Sequence, residues 1–362
     1  MSAAAERVVV AMSGGVDSSV AAALVAATGV ETVGITLRLA AGDSRCCSLD
    51  DADDARRVAD RLGIRFFVAS YAERFRAEVV EPFADAYLAG ETPIPCVACN
   101  KRFKFDYLVE RAAALGAARV ATGHYARIAR DAATGRFRLL RARHLAKDQS
   151  YFLFQLGQRE LARAVFPLGE LAKEEVRAQA RALGLATAEK PESQEICFVP
   201  DGDYAAAVAR IRPDAAAAAG GEIVDAAGRA LGRHDGVHRF TVGQRRGLGV
   251  AAARPLYVTR IDAARRRVVV GEREALAVHE ARVRDVHWVA GTPPAAPVRA
   301  RVHVRYRHAG AMAKVESLPG GEARVAFDEP VTAIAPGQAA VFYDGDEVLG
   351  GGWLAAADPG RA

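Results

Sequence analysis

The sequence predicts an α/β first half built on a parallel sheet, then a small central domain and a C-terminal β-barrel. Three observations carry this. Up to about residue 125, short β-rich runs alternate with stretches of helical periodicity, as in βαβ units. Beyond about residue 200, short alternating runs recur between Gly and Pro turns, as in antiparallel β structure. The length of 362 residues exceeds one usual domain and calls for two or three.

Residues 7–12 (RVVVAM) form a β-rich run ending in a Ser-Gly-Gly turn, and 18–28, rich in Ala and Val, reads as a helix. A second strand covers 31–39. Helical spacing of Ala52, Ala55, Val58, Ala59 and Leu62 predicts a helix over 50–62, before a strand at 65–70. A long helix is predicted over 71–88, another over roughly 105–115, then a strand at 119–122. Ligands of such sheets bind beyond the carboxyl ends of the strands. DAAAAAGGE (214–222) reads as a loop or weak helix end, and β runs follow, from EIVDAAG to VFYDGDEVLGGGWL. No repeat of fixed period occurs. The expected division is 1–203, 204–275 and 276–362.

Hydrophobic residues at 51% and charged residues at 26% fit a globular protein in water. No apolar run approaches the ~20 residues of a membrane span, so no membrane partner is expected. The first residues lack the basic region, apolar stretch and cleavage site of a secretory signal. Five cysteines are few and odd in number, which argues against a disulfide-stapled secreted chain. The expected compartment is the cytoplasm, with thiols reduced and available for chemistry. The net charge of +5 is uneven: residues 205–310 hold 19 Arg, no Lys and 9 Asp or Glu, hence 19 − 9 = +10. Such a half suits a polyanionic partner; a bias toward Arg and Ala codons is the plain alternative.

The strongest local signal is Met12-Ser13-Gly14-Gly15-Val16-Asp17-Ser18-Ser19, between a strand and a helix. Two glycines bring backbone N–H groups close to an anion, and the helix start adds unsatisfied donors and partial positive charge. Ser13, Ser18 and Ser19 are candidate hydroxyl donors to phosphate. A carboxylate repels phosphate, so Asp17 is expected to hold magnesium bridging to it. No lysine follows, so this is not GxxxxGK[ST], nor is it GxGxxG. A Ser/Asp helix cap on an ordinary glycine turn is the bland reading. The loop resembles the SGGxDS loop of the ATP pyrophosphatase superfamily, which implies cleavage of ATP to AMP and pyrophosphate during adenylation of a substrate oxygen.

Cys96 and Cys99 lie in TPIPCVACN (92–100), where two prolines suggest an extended approach to a turn. Lys101, Arg102 and Lys104 follow and are expected to stabilise a nearby thiolate. Cys197 lies in PESQEICFVP (191–200), and Cys46 and Cys47 in a polar loop, where inert cysteines are the simpler reading. Three uses of the thiols compete. Two distant thiols meet, one carrying a persulfide; or Cys96, Cys99 and Cys197 hold an iron–sulfur cluster; or Cys96 and Cys99 are half of a zinc site. No second CxxC supports zinc.

The chain resembles the bacterial tRNA-specific 2-thiouridylases (MnmA/TrmU) along nearly its whole length. The matching segments, in order, are AMSGGVDSS (11–19), TPIPCVACNKRFKF (92–105), ATGHYAR (121–127), LAKDQSYFL (145–153), KPESQEICF (190–198), TVGQRRGLGV (241–250), RYR (305–307) and PGQAAVFY (336–343). The resemblance implies an N-terminal adenine-nucleotide (PP-loop ATP pyrophosphatase) domain ahead of the two β-rich ones. It implies that ATP is held by Ala11, Met12, Ser13, Gly14, Gly15, Val16, Asp17 and Ser18, with Leu37 and Gly123. It implies that Cys197 receives a persulfide from a sulfur-relay or cysteine desulfurase protein and that Cys99 later pairs with it. tRNA, not DNA, is the implied nucleic acid, met by His124, Lys147, Asp148, Gln149, Arg305, Tyr306 and Gln338. Ile94, Pro95 and Cys96 would face the target base, the wobble uridine of lysine, glutamate and glutamine tRNAs. Two departures stand out. Cys96 replaces the acidic residue some relatives carry, which puts a general-base role there in doubt, and Ile94 replaces an expected Asn.

Overall fold

A computed structural model describes residues 6–39, 49–192, 195–199 and 201–356. Cys46 and Cys47 lie outside the described residues.

The N-terminal sheet is parallel throughout. It comprises β1 (Arg7–Ala11), β2 (Glu31–Arg38), β3 (Arg65–Ser70), β4 (Arg119–Ala121) and β7 (Ala164–Val165), in the order β3-β2-β1-β4-β7. Helices α1 (Val16–Ala27) and α2 (Leu49–Leu62) fall where expected. Strand β1 is apolar at nearly every position because both faces of the sheet are covered. Val8, Val10 and Met12 join the core under α1, α2 and α8 (Lys173–Ala182). Val9, with Val33, Ile35 and Leu37 of β2, joins the opposite core with Phe75, Phe103 and Leu108.

The long helix expected over 71–88 is α3 (Ala72–Phe75), a π-helical turn Arg76–Val80 and α4 (Glu81–Leu88). The next helix begins ten residues before its expected start. It runs as α5 (Pro95–Cys99), a π-helical stretch Asn100–Tyr107 and α6 (Leu108–Ala114). Pro95 opens the helix because proline's missing N–H costs nothing in the first turn, and Ile94 before it, at φ −118° and ψ 86°, is non-helical. Later come β5 (Ala126–Arg130), β6 (Phe137–Arg141), the short α7 (Gln158–Leu161), α9 (Tyr204–Ile211) and α10 (Pro213–Ala217).

The central sheet is ordered β10-β11-β8-β9, from β8 (Gly221–Val224), β9 (Ala230–His234), β10 (Tyr257–Asp262) and β11 (Arg267–Gly271). The barrel uses β12 (Ala277–Trp288), β13 (Val298–His303), β14 (Ala311–Leu318), β15 (Glu322–Thr332), β16 (Ala339–Asp344) and β17 (Glu347–Leu354). It closes because the long β12 pairs with β15 along its first half and β17 along its second, across an irregularity between Arg284 and His287. Hairpin β5–β6, from the first half of the chain, adds to β17 through Leu140 and Glu347. A shared core of Val97, Phe105, Leu139, Tyr151, Phe154, Val341 and Tyr343 locks the barrel against the N-terminal half. Among the described residues no helix is long and apolar enough to cross a membrane.

Candidate active site

The phosphate loop leaves β1 at the carboxyl edge of the sheet and enters α1. Gly14 has φ +71°, and a Cβ there would lie 2.2 Å from the Asp51 carbonyl oxygen, so only glycine lets the loop settle on α2. No side chain caps α1, which leaves its leading N–H groups to a ligand. Ser18 and Ser19 are buried. Their hydroxyls donate to the Gly15 carbonyl at 3.1 and 2.8 Å, and Ser18 Oγ accepts the Ser13 N–H. Both hydroxyls are thus paired with the backbone at the start of α1, and the Ser13 side chain is exposed. Gly123 closes the site from β4's side, where a Cβ would come within 2.7 Å of the Ser18 nitrogen. Leu37 sits near the carboxyl end of β2 with its side chain in the core.

Asp17 has company that the sequence does not announce. Its Oδ1 accepts the Tyr125 hydroxyl and the Lys173 ammonium, each at 2.7 Å. Lys173 is buried and also meets Glu192 at 2.8 Å, while Lys147 meets the other Glu192 oxygen at 2.6 Å. Burial and the Asp17 charge push the Tyr125 phenol well up, so it stays protonated and donates. Burial opposes ionisation of Glu192, but Lys147 and Lys173 outweigh it and hold the carboxyl below its usual range. Lys190 reaches Asp51 and Asp54 of α2 at 2.7 and 2.6 Å. The strap 190–192 toward Cys197 is thus pinned to both flanks of the phosphate loop.

Cys96 and Cys99 stand one helical turn apart on α5, each partly buried. Buried Val97 anchors that turn in the core shared with the barrel. Cys99 borders the apolar cluster of Val9, Ile35, Leu37 and Phe103, and so do Cys197 and Phe198. Phe198 fixes its segment by edge contacts with Phe75 and Phe83, centroids 6.0 and 5.1 Å apart. Segments about a hundred positions apart thereby share one core.

Lys101 is 3.0 Å from both Asp106 and Glu160, Lys104 is 3.3 Å from His124 Nε2, and Arg102 is exposed. Two of the three cations expected beside the thiolate thus also bind partners of their own. His124 is buried between Phe105 and Phe166. Burial and the Lys104 charge hold its pKa well below the usual range. Lys104 can only donate, so the neutral ring carries its proton on Nδ1 and gives it to Thr122 Oγ1 at 2.8 Å.

Asp148 is buried as the acceptor for Arg141, the Ala142 N–H and Ser150, and Gln149 Oε1 accepts the Tyr125 N–H. Arg305 and Tyr306 lie in the turn after β13 and are exposed. Tyr306 donates to the Asp148 carbonyl at 3.2 Å and lies 4.4 Å from Phe152 by centroid, which joins the two segments. Gln338 donates to the Thr92 carbonyl at 2.8 Å, beside Ile94 and Pro95.

Three domain descriptions match this chain: tRNA methyl transferase HUP domain over 6–201, tRNA methyl transferase PRC-barrel domain over 213–272, and aminomethyltransferase beta-barrel domain over 278–354. The tRNA-specific 2-thiouridylase MnmA of Solibacter usitatus (strain Ellin6076) is 53% identical over 96% of this chain and 99% of that protein. The chain belongs to the MnmA family. The member from Geobacter metallireducens is 51% identical, with 98% of each chain covered. The geometry of the loop suits an adenine nucleotide's phosphates, and Asp17 offers a carboxylate oxygen to magnesium. Among the described residues no group of three or more His, Cys, Asp or Glu is placed to hold a metal ion. Sequence reasoning missed Lys173, Glu192 and Tyr125 as site residues. The last two lie inside matched motifs, but Lys173 lies in none.

Proposed function

We propose that this protein is an ATP-dependent tRNA-uridine 2-sulfurtransferase that acts on the wobble uridine of lysine, glutamate and glutamine tRNAs. The observation that carries this reading is the phosphate loop at the sheet's carboxyl edge with Cys99 and Cys197 bordering one core beside it. The methyl transferase wording of two domain descriptions fits less well, because methyl transfer needs neither adenylation nor a pair of thiols.

The C2 carbonyl of uridine is a poor electrophile, so its oxygen first attacks the α-phosphorus of ATP and expels pyrophosphate. AMP becomes the leaving group. Ala11 to Ser18, with Leu37 and Gly123, hold the nucleotide, and magnesium, when bound at Asp17, offsets phosphate charge. The terminal sulfur of a persulfide on Cys197, loaded by a sulfur-relay or desulfurase protein, attacks C2; protein-bound sulfur makes the step effectively unimolecular. The Cys99 thiolate attacks Cys197 Sγ and breaks the S–S bond. The released pair forms C2=S and expels AMP. The Cys99–Cys197 disulfide left behind needs an external dithiol each turnover.

Lys147, Gln149, Arg305 and Tyr306 form the tRNA face, Ile94, Pro95 and Cys96 meet the base, and His124, Asp148 and Gln338 hold these segments in place. The division 1–203, 204–275 and 276–362 assigns one domain to each task of activation, connection and RNA docking, and the cytoplasm supplies the reductant. The test is tRNA-dependent pyrophosphate release in Cys197→Ser. Release retained with thiolation lost supports the reading, and release without any tRNA points to a small-molecule substrate.

A further inference from the structure

The phosphate loop carries no lysine of its own, and the fold brings one to it. We propose that Lys173 is a polyphosphate-binding residue of the nucleotide site, an inference that rests on the ATP reading above.

Lys173 opens α8, and a cation at a helix start opposes the helix dipole. Its side chain is 7% exposed, and a buried ammonium is costly unless paired. Helix stability therefore does not account for it. What it meets are two carboxylates on opposite sides: Asp17 of the loop at 2.7 Å and Glu192 of the cysteine strap at 2.8 Å. An ammonium has three N–H donors, and these two acceptors leave one to give. The four charged groups Asp17, Lys173, Glu192 and Lys147 sum to zero. A polyphosphate entering the loop brings several negative charges next to Asp17, and Lys173 is the buried cation within reach of that carboxylate. Turning one N–H from Asp17 to a phosphate oxygen trades one charge-assisted bond for another and frees Asp17 for the cation that accompanies ATP. Tyr125 keeps its bond to Asp17 during that exchange and preserves the carboxylate's position.

The test is calorimetric titration of the full chain, without tRNA, by ATP, inorganic tripolyphosphate and AMP. Lys173→Met should weaken ATP and tripolyphosphate by about tenfold or more, as loss of a charge-assisted bond implies, and should leave AMP within about twofold. Because that variant leaves Asp17 without its cation and Glu192 with Lys147 alone, the double variant K173M/E192Q, which removes one charge of each sign, should show the same selective loss. Equal weakening of all three ligands would mark Lys173 as structural, and unchanged ATP and tripolyphosphate affinity in either folded variant would also overturn the proposal. Wild-type protein that binds neither ATP nor AMP would remove the nucleotide reading together with this one.

Discussion

Asp17 stands inside a phosphate loop with its charge offset by Lys173 and shared with Tyr125. Asp17→Asn should cut pyrophosphate release by about a hundredfold, the usual scale for one lost electrostatic contact at a reacting phosphate, with tRNA affinity held within about twofold. Normal release would remove Asp17 from the chemistry. Cys96 has no step in the persulfide route, so Cys96→Ser should retain wild-type thiolation without iron; joint loss of an iron–sulfur chromophore and activity would favour a cluster. At this scale the loop and the cysteines were legible because each sits in a local motif. Lys173 was not, since its partners lie over a hundred positions away in Asp17 and nineteen away in Glu192. His303 supplies a pH prediction. Burial, helped by the Arg141, His308 and Arg301 charges, lowers its pKa to about 4. The unfolded chain takes up this proton as pH falls below about 6.5, and the folded chain waits until about 4. Stability is therefore full above 6.5 and is lost between 6.5 and 4, by roughly 3 kcal/mol at most. His303→Asn should flatten denaturant midpoints across that window; an unchanged slope would reject the assignment.

Helix α5 shows what a single element contributes. The backbone is helical from Pro95, which puts Cys96 and Cys99 on one face at i and i+3. The π-helical stretch begins at the residue after Cys99, and such irregular turns recur at functional sites. Val97 between the thiols is fully buried, so Val97→Ala should cost about 1–3 kcal/mol by opening a cavity. Its effect on chemistry should fall on thiolation more than on pyrophosphate release, because α5 holds thiols and not phosphate. Single-turnover thiolation set beside pyrophosphate release decides this, and equal losses in both would mean that α5 does no selective positioning. The sequence periodicity from Phe105 to Leu115 was visible. The preceding turn was not, because a five-residue helix has too few positions to show a period.

Across the whole molecule, the barrel's role is to grip. Thr92 N–H donates to the Pro336 carbonyl at 2.7 Å, Gln338 returns a bond to Thr92, and Arg284 makes two bonds to Glu91. The loop before Pro95 is thus set from the far end of the chain. The arginine excess is less bare than composition suggests. Of the 19 Arg in 205–310, Arg212, Arg229, Arg254, Arg265, Arg267, Arg282, Arg284 and Arg299 pair with carboxylates, so the tRNA face depends on particular residues. Arg305 is exposed, and its guanidinium donates to the Thr332 carbonyl at 3.5 Å. Arg305→Ala should weaken tRNA binding and reduce its salt slope by about one phosphate contact; an unaltered slope would exclude a backbone contact there. The sequence by itself determined the parallel sheet, the phosphate loop and the β-rich second half. Each of these follows from the period of nearby side chains or from residues adjacent along the chain. Only the tertiary structure decided that the β5–β6 hairpin joins the barrel, that Lys101 meets Glu160 and Lys104 meets His124, and that Lys173 meets Asp17. Those outcomes depend on which distant segments pack together, and a local pattern carries no record of its long-range partner.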